Sequence, residues 1–194
     1  MRGGPAMWLS AATTPYITVP VFILLCGARY VDGWRELLLY GGIVVGLAVL
    51  MPLSYTAYLV RKGVVEAMDV PGRFGRFGPL AAAALGALAG LLTLLLLGAP
   101  SGVLRLSVML FVLAAAVFAA TAVLKISGHV TAWSAGSVTL AFLWGPWALA
   151  SLLGALPIAW SRLALARHTP LELVAGAAYG IAVSAVLAWA VGLP

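Results

Sequence analysis

The 194-residue chain contains two histidines, and each lies in a short polar stretch set between long apolar runs. His129 ends Lys125-Ile126-Ser127-Gly128-His129, and His168 belongs to Ser161-Arg162-Leu163-Ala164-Leu165-Ala166-Arg167-His168-Thr169-Pro170-Leu171-Glu172. A third polar stretch carries Arg61 and Lys62, then Asp69, Arg73 and Arg76 ahead of Pro79. Guanidinium forks bind phosphate oxygens through paired N–H groups, and a glycine turn at a helix start offers backbone N–H groups to an anion. Of two imidazoles, one can attack as a nucleophile while the other protonates a leaving group, and a carboxylate four residues beyond the first can fix its tautomer. Charge stabilisation over three oxygens, an in-line attacker and a protonated leaving group are what phosphoryl transfer requires.

Each of these residues also has a structural role open to it. Arg and Lys at helix ends extend toward lipid headgroups and follow the positive-inside rule, which is the reading for Arg61, Lys62 and Arg167. For Arg73, Arg76 and Arg162 the reading is phosphate binding. Ser127 is placed to cap the helix that follows it. Thr169-Pro170-Leu171-Glu172 spells a capping box, with Thr at N-cap, Pro at N1 and Glu at N3, so Glu172 is either an orienter of His168 or a cap. Trp8, Trp133 and Trp160 read as anchors at the membrane interface.

The elements that position these stretches follow from composition. Hydrophobic residues make up 64% of the chain and charged residues 8%, against roughly 25% charged in a soluble domain, and the mean hydropathy is +1.13. A soluble globular enzyme is thereby excluded. The net charge of +6 comes from scattered Lys and Arg with no basic run, which excludes a disordered chain and a nucleic-acid partner. The single cysteine, Cys26, excludes a disulfide framework and a Cys-based zinc site. The chain reads as all-α, one integral membrane domain over residues 1–194, since only helices or closed barrels satisfy the backbone in lipid.

Six to seven transmembrane helices are expected from runs of about 20 apolar residues. Five are Trp8–Cys26, Leu37–Val60, Pro79–Leu97, Val103–Leu124 and Leu171–Val191. Pro15 and Pro20 interrupt the first, which reads as a retained span and not a cleaved signal. Val130–Trp160 is too long for one untilted span, and Gly145-Pro146 divides it into Val130–Trp144 and Trp147–Trp160, each about 22 Å long. With that division all three polar stretches face one side of the membrane. The pairs Gly42/Gly46, Gly86/Gly90 and Gly176/Gly180 have the spacing that lets helix backbones approach, read here as packing within one bundle. The polar side collects most of the Lys and Arg, against Arg29, Arg35 and Arg105 opposite, which points to a cytoplasmic site at the cell membrane.

The motif-bearing part, about residues 61–180, resembles the type 2 phosphatidic acid phosphatase family, membrane lipid phosphatases related to the vanadium haloperoxidases. Its motifs are KxxxxxxRP, PSGH and SRxxxxxHxxxD. Ser127-Gly128-His129 matches the end of the second, with Ile126 in place of Pro. Ser161-Arg162 and His168 match the third, with Glu172 where the family has Asp, and Leu173-Val174-Ala175-Gly176 resembles the start of the family's final helix. The first motif departs, since Asp69 stands where the Lys would be and Pro79 follows Arg76 by three residues.

The resemblance implies the family's helical core and a hydrolysis of a lipid phosphate that needs neither metal nor cofactor. It makes His168 the nucleophile that forms a phosphohistidine, His129 the acid and Glu172 the orienter. Arg73, Arg76, Lys125, Ser127, Gly128 and Arg162 would surround the phosphoryl oxygens. The substrates it implies are phosphatidic acid, phosphatidylglycerol phosphate, and isoprenyl phosphates or diphosphates. Two alternatives stand beside it: a non-catalytic lipid-phosphate binder of the same fold, and an intramembrane serine protease using Ser127 with His168. With Asp32 and Asp69 the only Asp residues, no Asp-rich diphosphate site can be built, and no His-Glu-x-x-His motif is present.

Overall fold

The computed structural model describes residues 4–65 and 74–194. Arg73 and Asp69, both singled out above, lie outside the described residues, as does Arg2. The described residues form helices α1 (Pro5–Ala12), α2 (Pro15–Gly27), α3 (Trp34–Val45), α4 (Met51–Arg61), α5 (Phe77–Leu96), α6 (Ser101–Thr121), α7 (Gly128–Trp144), α8 (Ala155–Ala164) and α9 (Pro170–Ala190). A π turn, Gly46–Leu50, joins α3 to α4, and 3-10 segments occupy Phe74–Arg76 and Pro146–Gly154. Five continuous helical stretches are long and apolar enough to cross a membrane, or six if the bent pair of α1 and α2 counts as one span. The expected seventh, α7, has 17 residues, or about 26 Å at 1.5 Å per residue, short of the roughly 30 Å hydrocarbon core.

Proline and glycine explain the breaks. The expected first span is two helices bent by 46°, because the Pro15 ring cannot continue a helix from Ala12 but suits the first position of a new one. The π turn ahead of α4 ends just before Pro52, where a wider turn gives the proline ring room against the preceding carbonyls. Gly145 ends α7 at φ 102°, a left-handed conformation that a side chain would resist, and Pro146 starts the next segment. That segment opens with nine residues of 3-10 helix before α8. At about 2.0 Å per residue the 3-10 stretch brings its length with α8 to about 33 Å, so the half that counts as short in α geometry reaches across a bilayer.

Contacts group the chain into two compact units. The first comprises residues up to Phe22 with Lys125–Pro194, and the second comprises Ile23–Leu124. In the second, Val44, Ala48, Ala87, Leu94, Ala99 and Val103 form the buried core. A Cβ on Gly86 would collide there with the Leu47 carbonyl, so α5 lies directly on the π turn. In the first, Val130, Ile158 and Leu173 pack together. Gly176 and Gly180 bring α9 onto the backbone of Ser127, Thr131 and Ala135, and Thr131 Oγ1 donates to the Gly176 carbonyl at 3.0 Å. Gly42 and Gly46 have nothing within 4 Å of a Cβ position, so the third pair joins no helices among the described residues.

Trp133 corrects the reading of the tryptophans as interface anchors. Its Nε1 donates to the Ser151 carbonyl at 2.8 Å, its ring meets Phe22 edge to face, and it lies over Gly154. It is internal packing of the first unit, whereas Trp8 and Trp160 are exposed.

Candidate active site

The first unit holds most of the residues singled out by sequence. Its local geometry begins where α8 ends. The Arg167 N–H bonds the Arg162 carbonyl at 3.0 Å and the Ala166 N–H bonds the Leu163 carbonyl at 2.9 Å. That double closure is a Schellman motif, with Ala166 at φ 51° in the left-handed position where glycine is usual. The turn carries the chain from Arg162 to His168, immediately before the N-cap of α9.

At that N-cap the two roles considered for Glu172 coexist. Glu172 Oε2 lies 2.8 Å from His168 Nδ1 and also accepts the Thr169 N–H at 3.3 Å. Thr169 Oγ1 in turn accepts the Glu172 N–H at 3.3 Å, completing the capping box. The His168 side chain is 1% exposed. An ionised carboxylate on Nδ1 keeps the ring proton there and puts the lone pair on Nε2. Lys125 Nζ stands 3.1 Å from Glu172 Oε1, and its side chain is 43% exposed.

The start of α7 is tied to the same point, because the Ser127 N–H donates to the Glu172 carbonyl at 3.3 Å. Ser127 has N-cap backbone geometry, but its side chain makes no cap hydrogen bond. Its Oγ is fully buried and has no hydrogen-bond partner among the described residues. Leaving a buried hydroxyl unsatisfied costs about 1–3 kcal/mol, a cost that an anion accepting its proton would remove. A Cβ on Gly128 would meet nothing within 4 Å. The absent side chain therefore leaves the approach to the N–H groups of this 17-residue helix open. His129, in the first turn, is 6% exposed.

Arg162, 1% exposed, directs Nη1 to Ser10 Oγ on α1 at 2.6 Å. Sequence reasoning passed over Ser10, whose only signal is a hydroxyl in an otherwise apolar helix. Ser161 bonds back to the Ile158 carbonyl at 2.7 Å, so its hydroxyl is engaged within α8. Arg76 belongs to the second unit, in the 3-10 turn ahead of α5. The first unit thus contains His168, Glu172, Lys125, Ser127, Gly128, His129 and Arg162. Ser127 Oγ makes no hydrogen bond to either histidine among the described residues. The chain matches no protein-family model, no curated protein and no solved structure with which it was compared.

Proposed function

We infer that the protein is a membrane lipid phosphate phosphatase that works through a phosphohistidine at His168. The observation carrying this reading is the pair of buried His168 and partly buried Glu172, tied to an α7 N-terminus that presents a buried hydroxyl without a partner. In this reading Glu172 holds the proton on Nδ1 and Nε2 attacks phosphorus. The bond from phosphorus to the lipid oxygen breaks as His129 gives that oxygen a proton. Water then attacks phosphorus, the P–N bond breaks, His129 recovers a proton from the water, and inorganic phosphate leaves.

Negative charge spreading over the phosphoryl oxygens is met by Arg162, by Ser127 Oγ and by the N–H groups at the start of α7. Lys125 balances Glu172, which keeps the orienting carboxylate ionised. Because cations and N–H groups neutralise the oxygens, no step calls for a metal. The polar stretches lie at the ends of apolar spans, where a phosphate headgroup sits, and the excess of Lys and Arg beside them favours the cytoplasmic face of the cell membrane.

Detergent-solubilised protein offered phosphatidic acid, phosphatidylglycerol phosphate, and polyprenyl mono- and diphosphates should release inorganic phosphate from at least one. Release should persist in excess EDTA and be inhibited by vanadate, which takes up the five-coordinate geometry of the transition state. Activity lost on chelation and restored by magnesium would contradict the mechanism. Binding without release would leave the non-catalytic reading in its place.

A further inference from the structure

The helix that carries no recognisable motif supplies a hydrogen bond to the buried arginine. Ser10 is buried, and its neighbours on α1 are Pro, Ala, Met, Trp and Leu. Its Oγ accepts from Arg162 Nη1 at 2.6 Å across 152 residues of sequence. A guanidinium removed from water must have its N–H groups matched, and it keeps a long, rotamer-rich side chain unless something fixes its plane. The hydrogen bond to Ser10 on a neighbouring helix matches one of those N–H groups and helps to fix the plane. The break before Pro15 turns α1 by 46° from the axis of α2, and α1 packs against α8, which carries Arg162.

We propose that Ser10 is a positioning residue for Arg162, holding the guanidinium in the orientation that meets the phosphoryl oxygens. The proposal rests on the phosphatase reading above. The acceptor's chemistry favours it: a hydroxyl orients a cation without itself bringing a negative charge beside it. Lys125 is the contrast, since its partner is the Glu172 carboxylate. A cation meant for phosphate is better held by a neutral oxygen than by an anion, which would compete with the substrate for it.

The test compares wild type, Ser10→Ala and Ser10→Thr, each in detergent, by two readouts. One is turnover of the lipid phosphate released fastest in the panel above, and the other is thermal stabilisation by orthovanadate, which needs no turnover. Ser10→Ala should lower kcat about 10- to 100-fold with KM changed less than about threefold, the pattern of an interaction realised in the transition state. It should also weaken the vanadate shift, while the melting temperature without ligand falls by only a few degrees, the cost of one guanidinium N–H left without its acceptor. Ser10→Thr keeps the hydroxyl and should restore both readouts.

Wild-type kcat and a wild-type vanadate shift in Ser10→Ala overturn the positioning role and leave the phosphatase reading standing. A loss that Ser10→Thr fails to restore, or one that follows the melting temperature, makes Ser10 a packing residue and also overturns it. If wild type binds vanadate without turnover, the vanadate shift alone decides between the same outcomes. A wild type that neither releases phosphate nor responds to vanadate removes the phosphatase reading, and this proposal with it.

Discussion

One oxygen of Glu172 accepts from both the His168 ring and the Thr169 backbone, because a residue at N3 folds back over the N-cap and the residue before the cap lies within the same reach. The bond to the ring is 2.8 Å and the bond to the backbone 3.3 Å, so the histidine holds the stronger claim. Replacing Glu172 with Gln leaves one acceptor and adds N–H donors, which cannot satisfy Lys125, the His168 N–H and the Thr169 N–H together. Glu172→Gln should therefore lower turnover by about two to four orders of magnitude, as loss of the carboxylate does in His-based triads. Thr169→Ala removes only the cap and should cost about 1 kcal/mol of stability, with near-normal turnover of the folded fraction. Parallel measurement of turnover and melting separates them, and a fully active Glu172→Gln protein would remove Glu172 from the site. The capping box and the His168–Glu172 spacing were legible in sequence because both are local. Ser10 and the partner of Lys125 were not, since a cation near a motif does not announce whether it faces a phosphate or a carboxylate, and Ser10 reaches Arg162 only through the packing of α1 on α8.

The turn between α8 and α9 sets where His168 stands, and it carries Ala166 in the left-handed region at φ 51°. That conformation costs a residue with a Cβ about 1–2 kcal/mol relative to glycine. Ala166→Gly should accordingly raise the melting temperature by a few degrees, since about 1 kcal/mol corresponds to roughly 2–4 °C at this chain size. Differential scanning fluorimetry in detergent checks it; an unchanged or lowered melting temperature would mean that the turn is not strained. Element boundaries marked by Gly and Pro could be read directly: Gly145-Pro146 divides the long apolar run as expected, and Pro15 starts a new helix. The 3-10 character of Pro146–Gly154 could not, because an unbroken apolar stretch has no periodicity that separates 3.0 from 3.6 residues per turn. That missing distinction is why the second half of the run looked too short.

For the molecule as a whole, composition alone led to an all-helical chain with membrane-length spans, and five such stretches are present among the described residues, or six if α1 and α2 count as one. The grouping of contacts into two units was not legible, because the chain leaves the first unit at Phe22 and returns at Lys125 with no change in composition at either point. The proposed nucleophile His168, its proposed orienter Glu172, the α7 N-terminus and Arg162 all belong to the first unit. The central claim is a covalent phosphohistidine on His168, and the most direct measurement is a trapping experiment. Detergent-solubilised protein is mixed briefly with a phosphorus-labelled lipid substrate, quenched in alkali, and assayed for label on the polypeptide. Wild type should carry label that survives alkali and is lost in mild acid, and His168→Ala should carry none and release no phosphate. Phosphate release by wild type without bound label, or wild-type labelling of His168→Ala, would contradict the account.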